Sequence, residues 1–134
     1  MARPDIVVLD ASALFLPFEK RIDLEKERDR LLPGARFVVP TPIVEEVAYL
    51  ATGGRGAPKR TAKMALTYLT RFEEFRIGGR GDDTVIQTGR ELEKQGFDVG
   101  IATADQRLRQ RARAKGWPVL TVRGHRAFVD GYVD

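Results

Sequence analysis

Three short, unbroken apolar runs stand out from the rest of the chain. They are Ile6-Val7-Val8-Leu9, Phe37-Val38-Val39 (entered from Arg36) and Val99-Gly100-Ile101-Ala102-Thr103. Runs of this kind read as strands buried on both faces, the mark of a parallel sheet. Trp117-Pro118-Val119-Leu120-Thr121-Val122 predicts a fourth strand. Between them the apolar positions take helical spacing. Residues 11–32 alternate apolar and charged side chains and stop at Pro33-Gly34. Thr41 as N-cap and Pro42 at the first helical position predict a helix to about Thr52. Gly53-Gly54-Arg55-Gly56 breaks it. Ala57-Pro58 opens another helix through about Phe75, with Met64, Leu66, Leu69 and Phe72 at helical intervals. After Gly78-Gly79-Arg80-Gly81, Asp82-Asp83 open a helix to Gln95, and the last runs from Asp105 to Lys115. Residues 123–134 are left as a tail. Strands alternating with helices predict one α/β domain with a mainly parallel sheet.

Composition narrows the chemistry. The 134 residues contain no cysteine and one histidine, His125. Thiolate zinc sites, disulfides and multi-histidine metal sites are excluded, so any divalent ion falls to carboxylates, which suit Mg²⁺ or Mn²⁺. No apolar stretch is long enough to span a membrane, and the first residues lack the apolar segment of a signal peptide, so a cytoplasmic location is expected. The net charge of +4 is unevenly spread. Residues 1–52 hold 7 Lys/Arg against 9 Asp/Glu, and residues 53–134 hold 16 against 10. A basic excess in one half points to a polyanionic partner.

The acids carry the strongest signal. Asp10 ends the first strand, Glu45-Glu46 lie in the first turns after the second, Asp82-Asp83 start a helix, and Asp105 follows the third strand by two residues. In a parallel sheet these points share one edge, where open α/β folds place their ligands. Any one of them would serve simply as a helix cap. Together they would repel and raise one another's pKa unless a cation held them. Ile43, Val47, Leu50 and Ala51 define the buried face of their helix, and Glu46 lies on its flank while Glu45 points away. By the same reasoning Asp82 lies nearer than Asp83 to the face set by Val85, Ile86, Gly89 and Leu92.

With these pieces in order, the chain resembles the PIN domain family of small metal-dependent ribonucleases. The matching segments are Val-Leu-Asp10-Ala-Ser12-Ala-Leu, Thr41-Pro-Ile-Val-Glu-Glu46-Val-Ala-Tyr-Leu50, Asp82-Asp83-Thr-Val-Ile86 and Ala-Thr103-Ala-Asp105-Gln-Arg-Leu108. They cover nearly the whole chain. The resemblance is nearest to archaeal members of the ribosomal-RNA-processing branch, through the paired Asp82-Asp83, the basic run after Asp105 and His125-Arg126. The VapC-type toxins come next. It implies a three-layer α/β/α sandwich. It also implies metal-binding roles for Asp10, Glu46, Asp83 and Asp105, and hydroxyls at Ser12 and Thr103 that orient water or ligand carboxylates. The Asp-x-x-Ile pattern points to Asp83 where helix geometry points to Asp82, so both stay in the candidate catalytic set. Many members carry a further acid where this chain has Arg107.

Arg107, Arg109, Arg111, Arg113 and Lys115 fall at every second position of one helix, and Lys59, Arg60 and Arg80 lie in or beside the glycine breaks. Phosphate contacts by such groups give affinity without sequence choice. Arg107, Arg111, Lys59, Arg60 and Arg80 are the expected RNA contacts. Tyr68, Leu69 and Phe72 are offered as part of a homodimer surface. The leading expectation is a metal-dependent endoribonuclease acting on RNA, with a pre-ribosome or an antitoxin as further partner and no membrane. A toxin ribonuclease and a non-catalytic RNA-binding ribosome-assembly factor are the alternatives. A haloacid-dehalogenase-type phosphatase also begins with a strand ending in aspartate, but it needs a second acid where this chain has Ser12.

Overall fold

A computed structural model describes residues 3–55 and 58–131. The chain order is β1 (Ile6–Leu9), α1 (Ala11–Glu19), α2 (Leu24–Leu31), β2 (Arg36–Pro40), α3 (Thr41–Ala51), α4 (Lys59–Leu69) and β3 (Glu73–Phe75). Then follow α5 (Gly81–Lys94), β4 (Val99–Ala102), α6 (Gln106–Ala114), β5 (Val119–Arg123) and β6 (Arg126–Asp130). The strands form one sheet in the order β3-β2-β1-β4-β5-β6. All pairs are parallel except β5 with β6. Right-handed crossovers then place α1 to α4 on one face and α5 and α6 on the other, giving the three-layer sandwich. No described helix is long and apolar enough to cross a membrane.

β1 and β4 are buried at every position. They lie side by side in the middle of the sheet, with Leu9 opposite Ala102. The chain leaves β1 toward β2 on one side, whereas β4 lies on the other. The carboxyl ends of β1 and β4 therefore flank a switch point, where open sheets leave a crevice.

Four sequence expectations give way. Residues 11–32 form two helices, because the chain turns at Arg21, the only described non-glycine residue with positive φ (54°), and restarts at Asp23, whose side chain caps Lys26 N–H. Thr41 is not an N-cap: Pro40 holds that position without a side-chain bond, and the Thr41 hydroxyl donates to Phe75 O at 3.2 Å, tying α3 to β3. The helix expected to reach Phe75 stops at Leu69, and Glu73–Phe75 become an edge strand. The supposed tail supplies β6, which closes a hairpin with β5 through Gly124 and His125. His125 Nδ1 lies 3.3 Å from Lys20 O, so that side chain braces the turn. Gly56 and Ala57, read from sequence as a glycine break and a helix start, lie outside the described residues.

Of the residues offered as a dimer surface, Tyr68 and Phe72 are half-buried and also pack within the chain. Leu69 is buried, and Phe72 meets both Phe37 and Tyr68 edge-on, at ring separations of 5.3 and 5.1 Å. Tyr68 in turn stands edge-on to Phe18. Trp117 fixes the opposite face. Its ring is buried against Gly89 of α5, where a Cβ would fall 2.6 Å from the ring, and its indole N–H donates to Glu93. Gly89→Ala adds helix propensity of up to about 1 kcal/mol, yet it forces the ring out of its seat. A net loss of about 1–3 kcal/mol is expected in urea unfolding. An unchanged or raised midpoint would show that Trp117 does not fix α5.

Candidate active site

Asp10 leaves β1 and caps α1, its Oδ1 accepting from Ala13 N–H at 2.8 Å. Ser12 donates to both carboxylate oxygens, at 2.8 and 2.9 Å. Thr103, directly after β4, donates to Oδ2 at 2.5 Å. The two hydroxyls are fixed from behind by the next strand's loop: Ala104 N–H donates to Ser12 Oγ, and Asp105 N–H donates to Thr103 Oγ1, each at 2.9 Å. Both hydroxyl donors to Asp10 thus have a second anchor, and with Ala13 N–H they fix the carboxylate's orientation. Burial raises its pKa from 3.8 to about 6, against the lowering effect of the Thr103, Ala13 and Ser12 bonds, and Asp82 adds a small further rise.

Asp105 is the N-cap of α6, accepting from Arg107 and Leu108 N–H at 2.8 and 3.0 Å. Glu46 lies on α3 with its pKa raised by desolvation and then by Asp82. Asp82, half-buried in the first turn of α5, has its own pKa raised by desolvation and then by Asp105. Asp10, Glu46 and Asp105 come from three different segments, and each is felt at, or feels, Asp82. Asp83 turns outward. Its side chain is 82% exposed and ion-paired with Arg111 at 2.9 Å. The two neighbouring aspartates therefore face different surroundings, as helix periodicity requires of adjacent positions.

A cavity of about 360 Å³ opens over this edge, walled by Arg80, Asp82, Asp83, Asp105, Arg107 and Arg111. The profile of the PIN-like domain family matches residues 7–125, which include every candidate acid. The chain belongs to the PIN-like domain family. Among solved structures, it resembles one described as the PIN domain endonuclease Utp24, with a TM-score of 0.78 and 24% identity, covering 99% of this chain and 96% of that chain. That likeness is one of fold. A search of curated proteins gave no match.

On this PIN-like scaffold the basic helix divides by role. Arg109 pairs with Asp130 at 2.8 Å, and Arg113 donates to Trp117 O at 3.0 Å, so both pin α6 to the β5–β6 hairpin. Arg107 and Arg111, on the other flank, line the acidic cavity together with Arg80. Lys59 and Arg60 stand exposed at the start of α4 and do not line it. Tyr49, one turn beyond Glu46, lines an adjoining cleft. Sequence reasoning passed it over, although its spacing from Glu46 is the signal that could have found it. Among the described residues no group of three His, Cys, Asp or Glu side chains is already arranged to hold a metal.

Proposed function

We propose that the chain is a metal-dependent endoribonuclease, hydrolysing RNA phosphodiester bonds at the edge formed by Asp10, Glu46, Asp82 and Asp105. The observation that carries this reading is the convergence on Asp82 of charge from acids on three other segments, beside a wall of three arginines. The donor set fits a hard cation. All its atoms are carboxylate oxygens, and desolvated like charges gain from a positive ion placed among them. Asp10, Glu46, Asp82 and Asp105 would hold Mg²⁺ or Mn²⁺. Such an ion, when bound, polarises a phosphate and makes a nucleophile of water near neutral pH.

The protein's own residues do the positioning. Ser12 and Thr103 fix the Asp10 carboxylate. Arg80, Arg107 and Arg111 bring a phosphate to the acids by charge-assisted bonds that ignore base identity. Hydrolysis leaves a 3′-hydroxyl and a 5′-phosphate, as the family resemblance implies. The resemblance to the ribosomal-RNA-processing branch, carried by Asp82-Asp83, the basic run after Asp105 and His125-Arg126, implies precursors of ribosomal RNA as the substrate. An inactive variant should then accumulate unprocessed precursor in cells.

The direct test is cleavage of a labelled structured RNA in Mg²⁺, Mn²⁺ or EDTA, with Asp105→Asn beside the unsubstituted protein. Cutting is expected only with a divalent ion, and Asp105→Asn is expected to lower it by more than about 100-fold, beyond what the loss of an outer-shell partner costs. Binding without cutting in either metal would replace the nuclease with an assembly factor. Cutting in EDTA would overturn the metal requirement.

A further inference from the structure

A second concavity, of about 660 Å³, adjoins the acidic cavity. Glu45, Glu46 and Tyr49 of α3 form one side, Gly79, Arg80 and Gly81 the other. Arg80 belongs to the walls of both. Tyr49 is 62% exposed, the most exposed large hydrophobic side chain among the described residues. Three positions after Glu46 on α3, it shares that residue's side of the helix.

The ring is exposed but seated. Beyond Ala51 the chain turns through Gly53, at φ 103°, and folds back over α3. Tyr49 O then accepts from Thr52 N–H (3.1 Å), Thr52 Oγ1 (2.7 Å) and Gly54 N–H (3.1 Å). This return brings Gly54 against the Tyr49 side chain. A Cβ there would lie 2.3, 2.5 and 2.8 Å from three ring atoms, so the ring can sit where it does only because residue 54 is glycine. An aromatic surface, lying against Gly54 on one side and otherwise open to solvent, stands one turn from an acid of the site.

We propose that this cleft is a subsite for an unpaired base of the RNA beside the phosphate at the acidic edge, with Tyr49 as its stacking platform. This rests on the nuclease reading for the identity of the ligand, though not for the test of binding. A base fits the cleft better than a phosphate does. Two glutamates line it against one arginine, so a phosphate there meets net repulsion, whereas an uncharged ring does not. The phosphates follow Arg80, Arg107 and Arg111 in the adjoining cavity. Aromatic stacking accepts any base, and truncating the platform typically lowers affinity by about 5- to 100-fold. Single strands are preferred over duplex, whose bases are already stacked on both faces.

The test is fluorescence anisotropy with a short labelled single-stranded RNA in EDTA. Tyr49→Ala is expected to weaken binding by about 10-fold and Tyr49→Phe, which keeps the ring, by less than about 2-fold. Gly54→Ala should weaken it too, by unseating the ring, and have no further effect in the Tyr49→Ala background. Moving one abasic nucleotide along the RNA should find a position at which the Tyr49→Ala penalty vanishes. Wild-type affinity in Tyr49→Ala, no such position, or no RNA binding by the unsubstituted protein would overturn the subsite. Cleavage separates the two readings. Base-dependent binding through Tyr49 without cutting in Mg²⁺ or Mn²⁺ would leave the platform standing and remove the nuclease. Normal cutting with a silent Tyr49→Ala would do the reverse.

Discussion

Asp10→Asn is expected to abolish RNA cleavage and yet stabilise the metal-free protein at neutral pH. The loss of activity should exceed about 100-fold, since Asp10 is proposed as a direct ligand and even outer-shell partners cost 10- to 100-fold. The gain in stability follows from burial. Asp10 is 5% exposed and its pKa rises from 3.8 to about 6. The folded chain therefore holds this proton more tightly than the unfolded chain does. The stabilising contribution is whole below about pH 4 and is lost as the pH rises through about 6. Above that range the ionised group costs about 3 kcal/mol, at 1.36 kcal/mol per pKa unit. Asparagine mimics the protonated carboxyl and keeps an oxygen for Ala13 N–H. At pH 7.5 in EDTA the variant should melt about 5–10 °C higher, and the two proteins should converge near pH 4. Added Mn²⁺ should raise the melting temperature of the unsubstituted protein far more than that of Asp10→Asn. A variant that melts lower at pH 7.5 without metal would show that the ionised carboxylate, with its three donors, is a structural asset.

Stability and activity therefore pull apart at this position. The bland reading of an aspartate at a helix start and the functional one are both present in the same side chain. Asp10 and Asp105 each cap a helix, and capping is what fixes the direction of a carboxylate that another group can then use. Asp105 differs from Asp10 in being exposed, so its charge carries no comparable burial cost.

The parts of the fold legible in the sequence are those where burial leaves an apolar signature. β1, β2 and β4 are buried on both faces and read as unbroken apolar runs, and their carboxyl ends located Asp10, the start of α3 and Asp105. Two strands were invisible for the opposite reason. Glu73–Phe75 is a polar edge, exposed or half-exposed throughout, and pairs only with β2. Arg126–Asp130 has one buried residue, Ala127. Such edges are held by backbone bonds that side-chain patterns do not report. The break after α1 depends on a left-handed arginine at position 21, which carries no residue-type signal. In the proposed site, the sequence named the acids that the structure brings to this edge but could not rank Asp82 against Asp83. Local helix geometry favoured one and motif spacing the other. What sets the two apart in the structure is tertiary: the charge of Asp105 beside Asp82, and the guanidinium of Arg111, 28 residues away in sequence, pairing with Asp83.

That ranking leads to the second large effect. Asp82→Asn is expected to lower cleavage by more than about 100-fold, as for any inner ligand, while Asp83→Asn should lower it by less than about 10-fold. Asp83 is exposed and its pair with Arg111 is a surface ion pair, a class worth about 0–1 kcal/mol. Removing it frees Arg111 for phosphate, so RNA affinity should hold or rise slightly even as turnover falls a little. Asp82 acts differently because its charge reaches the other acids. It raises the pKa of Asp10 and of Glu46, so Asp82→Asn must move both downward. Carboxyl-carbon NMR titration of the metal-free protein can read those shifts without any activity measurement. The combination expected is a downward shift at Asp10 and Glu46 with lost cleavage in Asp82→Asn, and neither change in Asp83→Asn. If Asp83→Asn proved the more damaging, the exposed aspartate would have to leave Arg111 and turn inward on binding RNA or metal, and motif spacing would outrank the geometry of the free protein.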